Sequence, residues 1–130
     1  MRPKYILFLA ALVVCGTLLR GQKKQDETER LRQAEAYSEA ENLWEEMANA
    51  KIDLTIQEEK VRAAPKEQKK KEWDKYSELY GAYGEKAKRY DTLWAKYALG
   101  DAKHLAKGQT PLTGPSKIWR PTEPADLPKE

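Results

Sequence analysis

The sequence predicts an all-α protein: an N-terminal membrane-targeting helix, then a two-helix antiparallel hairpin or coiled coil, then a disordered Pro-rich tail. Three observations predict it. Tyr5–Leu19 is an uncharged apolar run set between basic residues. The following sequence is heavily charged but repeats apolar residues at seven-residue spacing. Beyond Gly108, prolines recur at 111, 115, 121, 124 and 128. The corresponding segments are 1–21, 22–107 and 108–130.

Arg2 and Lys4 precede the apolar run and Arg20 closes it. In a helix it spans roughly 22 Å at 1.5 Å per residue, short of the ~30 Å hydrocarbon core. Lys4 and Arg20 extend that reach by snorkelling. The length also matches the apolar region of a secretory signal. The cleavage candidates, Val14-Cys15-Gly16 and Leu19-Arg20-Gly21, lack the usual pair of small residues. A single-pass anchor is therefore preferred to a cleaved signal. Cys15 is a candidate lipidation position, although Val14 stands where such a site wants a small residue; its plain reading is a small apolar residue in a membrane segment. Lys and Arg nearly balance across the run, which leaves the default orientation, a cytoplasmic N-terminus with the body exported. The expected location is membrane-associated or exported, in the periplasm, the cell envelope or an equivalent non-cytosolic side.

The chain carries a formal net charge of +3. Arg2, Lys4 and Arg20 are the leader's only charges, so removing them from 24 bases leaves 21 against 21 acids. An electrically balanced body has no surplus with which to release counterions from a phosphate backbone, and no nucleic-acid partner is expected. The single cysteine lies in the leader, so the body can form no disulfide or cysteine zinc site. His104 is the only histidine. Glu45/Glu46 and Glu58/Glu59 are neighbours on a solvated helix, without the apolar cleft that raises a carboxyl pKa. We expect no metal, no cofactor and no enzyme.

Asp26 with Glu29 three residues on makes a capping box for the first helix. No glycine or proline interrupts Asp26 to Arg62. Ala40, Met47, Leu54 and Val61 fall seven apart, with Tyr37, Leu43, Trp44 and Ala50 on adjoining positions. Pro65 reads as the first residue of the second helix, a position that tolerates its missing N–H. There Trp73, Tyr80, Ala87 and Trp94 repeat every seven residues, each followed three residues later by Tyr76, Tyr83, Tyr90 or Tyr97. Gly100 suits a helix stop. Two rods of roughly 37 and 35 residues, about 50–55 Å each, favour the hairpin. The competitor is a bent rod dimerising in parallel, which would have to absorb a slip of phase at Pro65.

The aromatic row Trp73, Tyr76, Tyr80, Tyr83, Tyr90, Trp94 and Tyr97 is the candidate site. Its plain reading is packing, against the first helix or a protein partner, including a second copy. Tyrosine and tryptophan suit a half-buried seam because the ring is covered while the OH or NH stays at the rim. The alternative is a row of flat rings stacking on glycan. Gly81 and Gly84 thin the helix beside this row, for close approach of a partner or simply as softening. In the tail, Ile118-Trp119 is the only apolar pair, either a docking anchor or a segment that folds back on the hairpin. Pro121-Thr122-Glu123-Pro124 has PxxP spacing without a suitably placed arginine and reads as linker.

These features together predict a membrane-tethered or exported small helical scaffold, one form of which is an accessory subunit of a membrane complex. The alternative is an exported binding module whose aromatic helix face contacts glycan. No motif ties the chain to a family.

Overall fold

A computed structural model describes the backbone of residues 3–130 and the side chains of residues 25–130. The apolar run 5–19, expected to be a membrane anchor or signal, and Cys15 lie outside the described side chains. Among the described residues no helix is long and apolar enough to cross a membrane. Two long helices, α1 (Pro3–Ala63) and α2 (Lys69–Lys96), are followed by single 3-10 turns at Ala102–His104, Pro115–Lys117 and Pro124–Asp126. The described residues contain no strand.

The chain divides into two compact units, Met1–Glu35 and Ala36–Glu130. In the first, the residues with described side chains are mostly exposed, Leu31 included. The helix runs through Asp26, so the capping box expected there does not form. No proline lies between Pro3 and Asp26 to end the preceding turns.

The second unit is the hairpin. Ala40, Met47, Leu54 and Val61 are all buried, as their spacing predicts, with Ala36 and Tyr37 at one end of the row. From α2 they meet Tyr76, Tyr83, Tyr90 and Leu93. Each large apolar side chain buried this way contributes about 1.5–3 kcal/mol. Cross-helix pairs give the direction. Glu39 pairs with Arg89 at 2.9 Å, Glu46 with Lys86 at 3.8 Å, and the Gln57 amide donates to the Glu72 carboxylate at 2.7 Å. Residue numbers rise on α1 as they fall on α2, so the helices are antiparallel. The two ion pairs are exposed, and such pairs add little stability; they mark the register.

The joint differs from expectation. Pro65 starts a turn rather than α2: its carbonyl accepts from the N–H groups of Gln68 and Lys69, and the helix begins four residues later. No glycine caps α1. The Lys69 ammonium donates instead to the carbonyls of Val61 and Arg62, at 3.2 and 3.1 Å. A cation at a helix C-terminus satisfies orphan carbonyls and complements the dipole. At the far end α2 stops before Gly100. Ala98 takes a left-handed φ of 50°, and the Leu99 N–H returns to the Trp94 carbonyl at 3.1 Å, a Schellman-type closure built on alanine.

Residues 108–130 do not form the disordered tail expected from their prolines. They run back along the hairpin as an extended strap, with Leu127 buried and Leu112, Ile118 and Trp119 packed against the core. Proline denies this segment helix and ladder partners but leaves its carbonyls free to accept bonds from elsewhere.

Candidate functional site

The strap's carbonyls meet the aromatic row of α2 in reverse order. The Trp94 indole N–H donates to the Leu112 carbonyl at 3.1 Å. The Tyr90 hydroxyl donates to the carbonyl of Thr113, Tyr83 to that of Trp119 and Tyr76 to that of Thr122. The Trp73 indole donates to the Pro124 carbonyl at 2.8 Å. From α1 the Tyr37 hydroxyl donates to the Thr110 carbonyl at 2.8 Å and accepts from the Thr110 N–H at 3.2 Å. Every bond these side chains donate goes to a main-chain carbonyl.

This arrangement explains why the row is tyrosine and tryptophan. A buried backbone carbonyl without a donor costs about 1–3 kcal/mol, and an extended chain leaves most of its carbonyls without an N–H of its own, the prolines here removing five more. Rigid aromatic side chains bury a large ring and still carry a donor at the tip. Leucine or phenylalanine would pack as well and leave the strap unpaired. Burial pushes the hydroxyls of Tyr76 and Tyr90 up to about 12, with the nearby Glu58 adding to the effect at Tyr76 and Tyr37 at Tyr90. Burial also raises Tyr83.

The seven predicted residues separate into roles. Tyr76, Tyr83 and Tyr90 are buried donors, while Trp73 and Trp94 are half-buried donors. Tyr80 and Tyr97 are half-buried and donate no bond to the strap: Tyr80 lies 6.4 Å from the Tyr76 ring, and Tyr97 caps α2 beneath the Lys96 ammonium. In the tail, Ile118 and Trp119 fold back. The Trp119 ring meets Tyr83 edge-on at 5.7 Å, with the Lys51 ammonium over its face at 5.3 Å. The Lys129 ammonium covers Trp73 at 4.1 Å. His104 is exposed and faces Asp101 at 3.6 Å.

Glycine has a different role from the one expected. A Cβ on Gly81 or Gly84 would meet nothing within 4 Å, so neither admits a close neighbour in this fold. Gly100 and Gly114 instead flank the Trp94 ring, where a Cβ would approach it at 2.5 and 3.3 Å respectively. These glycines make the slot that seats the first rung.

Sequence reasoning placed Tyr37 on the apolar stripe and Gly100 at the helix stop but missed their parts in the ladder, and it missed Lys69 and the strap's carbonyls. One signal was available: Trp73 to Trp94 spans about 32 Å of helix at 1.5 Å per residue, and Leu112 to Pro124 spans about 37 Å in polyproline geometry. The row and the tail are matched in length. Comparison with known proteins returns no matching family, no similar curated protein and no similar solved structure.

Proposed function

We propose that the protein is a small helical scaffold, tethered to a membrane or exported, that holds partners rather than catalysing a reaction. The observation that carries this reading is the self-occupied ladder. The chain spends its aromatic row on locking its own tail, which makes a hairpin α2 of about 42 Å into a strapped strut. Ahead of that strut stands the apolar segment 5–19, which supplies the tether in this reading. The outer surface is charged and mixed in sign, and Ile52 and Ile56, one turn apart, are among its exposed large apolar side chains. That pair is the candidate contact for a protein partner. An accessory subunit of a membrane complex is one form of the same function.

The glycan alternative requires rings open to solvent. Tyr76, Tyr83 and Tyr90 lie buried, so support moves to the scaffold.

Membrane fractionation with N-terminal sequencing tests the tether: retention of residues 1–20 in the membrane fraction is expected. A wholly soluble product starting near Gly16–Gln22 would reject the anchor. For the partner, pull-down from detergent-solubilised membranes should lose specific proteins when Ile52→Glu and Ile56→Glu are combined. An unchanged set of captured proteins would remove that contact from the reading.

A further inference from the structure

We infer that the aromatic ladder is an exchangeable socket, and that the tail of a second copy of this chain is its partner in trans. This rests on the scaffold reading and gives it a specific partner. The ladder binds its strap through main-chain carbonyls, and the strap's side chains add Leu127, Leu112 and the Ile118-Trp119 pair against the core, the Lys51 ammonium over Trp119 and the Lys129 ammonium over Trp73, and the Thr122 hydroxyl on Glu58 at 2.9 Å. None of these contacts depends on the two segments belonging to one chain. A neighbour's tail presents the same carbonyls and side chains in the same order.

The connection allows exchange. Tyr97–Pro111 joins α2 to the strap, and about 15 residues reach up to roughly 50 Å when extended. That is comparable with the length of α2 itself. Its exposed middle is closed by short local bonds, His104 N–H to Asp101 and Leu105 N–H to Ala102 among them, while its ends carry the buried Leu99 and the Tyr37 bonds to Thr110, and it begins at the left-handed Ala98. Opening it returns Ala98 to an ordinary conformation, and every rung can then re-form between copies. Such swapping is a low-cost route to assembly because no new interface has to be created.

Hydrogen bonds are sparsest in the middle of the strap. Between Thr113 and Thr122 the ladder contributes only the Tyr83 bond to Trp119. Clefts of about 380 and 220 Å3 flank that point, one over Gly84 and Ala87, the other over Met47 and Ala48. The packing of Ile118 and Trp119 therefore holds this stretch, and removing those side chains is the way to free it. In cis the tail is favoured by a high effective concentration, so exchange grows where copies are crowded, as they would be on a membrane.

Complementation between two full-length variants tests the inference. One copy carries Ile118→Ala, Trp119→Ala and Leu127→Ala, which leaves its ladder vacant. The other carries Tyr76→Phe, Tyr83→Phe and Tyr90→Phe, which leaves its tail free. Each alone should sediment as a monomer in detergent, and an equimolar mixture should double in mass. If the vacant-ladder copy loses helicity alone, mixing should restore it. Monomers in the mixture, with no recovery of helicity, would overturn the socket while leaving membrane retention, and so the scaffold, intact. Equal binding of the vacant ladder to an unrelated proline-rich peptide would overturn the second copy as partner in favour of a general proline-rich segment.

Discussion

Replacing Tyr76, Tyr83 and Tyr90 together by phenylalanine isolates the ladder's hydrogen bonds from its packing. The rings stay, and three buried hydroxyls go. Each loss removes a bond and strands a carbonyl of Thr122, Trp119 or Thr113. A net bond contributes about 0.5–1.5 kcal/mol, and an orphaned buried acceptor costs more, so about 1–2 kcal/mol is expected at each site. The three tyrosines are seven residues apart, about 10 Å along the helix, where effects add to within a few tenths of a kcal/mol. The triple variant should therefore lose roughly 3–6 kcal/mol, a large share of a small domain's stability. Urea unfolding followed by tryptophan fluorescence measures the total. Hydrogen exchange at the amides of residues 112–127 should show the strap opening first while α1 and α2 remain protected. A triple variant within about 0.5 kcal/mol of the parent, with strap protection unchanged, would refute the assignment of these hydroxyls to the tail.

Gly100→Ala drives a methyl group into the Trp94 ring and should destabilise by about 1–3 kcal/mol, whereas Gly81→Ala, with open space around it, should stabilise by about 0.5–1 kcal/mol; thermal melts of the pair compare the two. Lys69→Ala removes both donors to the end of α1 and should cost about 1 kcal/mol, read as faster exchange confined to the hairpin tip. For pH, the folded phenols of Tyr76 and Tyr90 titrate near 12 against about 10 in the unfolded chain. Their stabilisation is thus complete below pH 10 and falls as pH rises from 10 to 12, because the unfolded state releases its protons first. Strap protection should be flat from pH 7 to 9 and decline above 10, and phenolate absorbance arising wholly at pH 10 without any loss of protection would contradict the burial of those hydroxyls.

What the chain determines by itself is whatever depends on neighbours in sequence. The heptads at Ala40, Met47, Leu54 and Val61 place the buried face of α1 because side-chain direction follows helical periodicity. The prolines after Gly108 exclude helix and sheet there because a missing N–H is a local property. The aromatic row could be located in the same way, and its choice of tyrosine and tryptophan was legible as a polar rim wanting partners. The identity of those partners was not. Tyr76 finds the Thr122 carbonyl 46 residues away and Tyr37 finds Thr110 at a separation of 73, and nothing in local pattern distinguishes a water from a distant carbonyl. The same holds at the helix ends, where Ala98 rather than Gly100 turns left-handed and a lysine replaces the absent cap of α1. Tertiary structure decided these because each depends on which unpaired backbone group folding brings within reach, and an extended strap leaves most of its carbonyls without an N–H of its own.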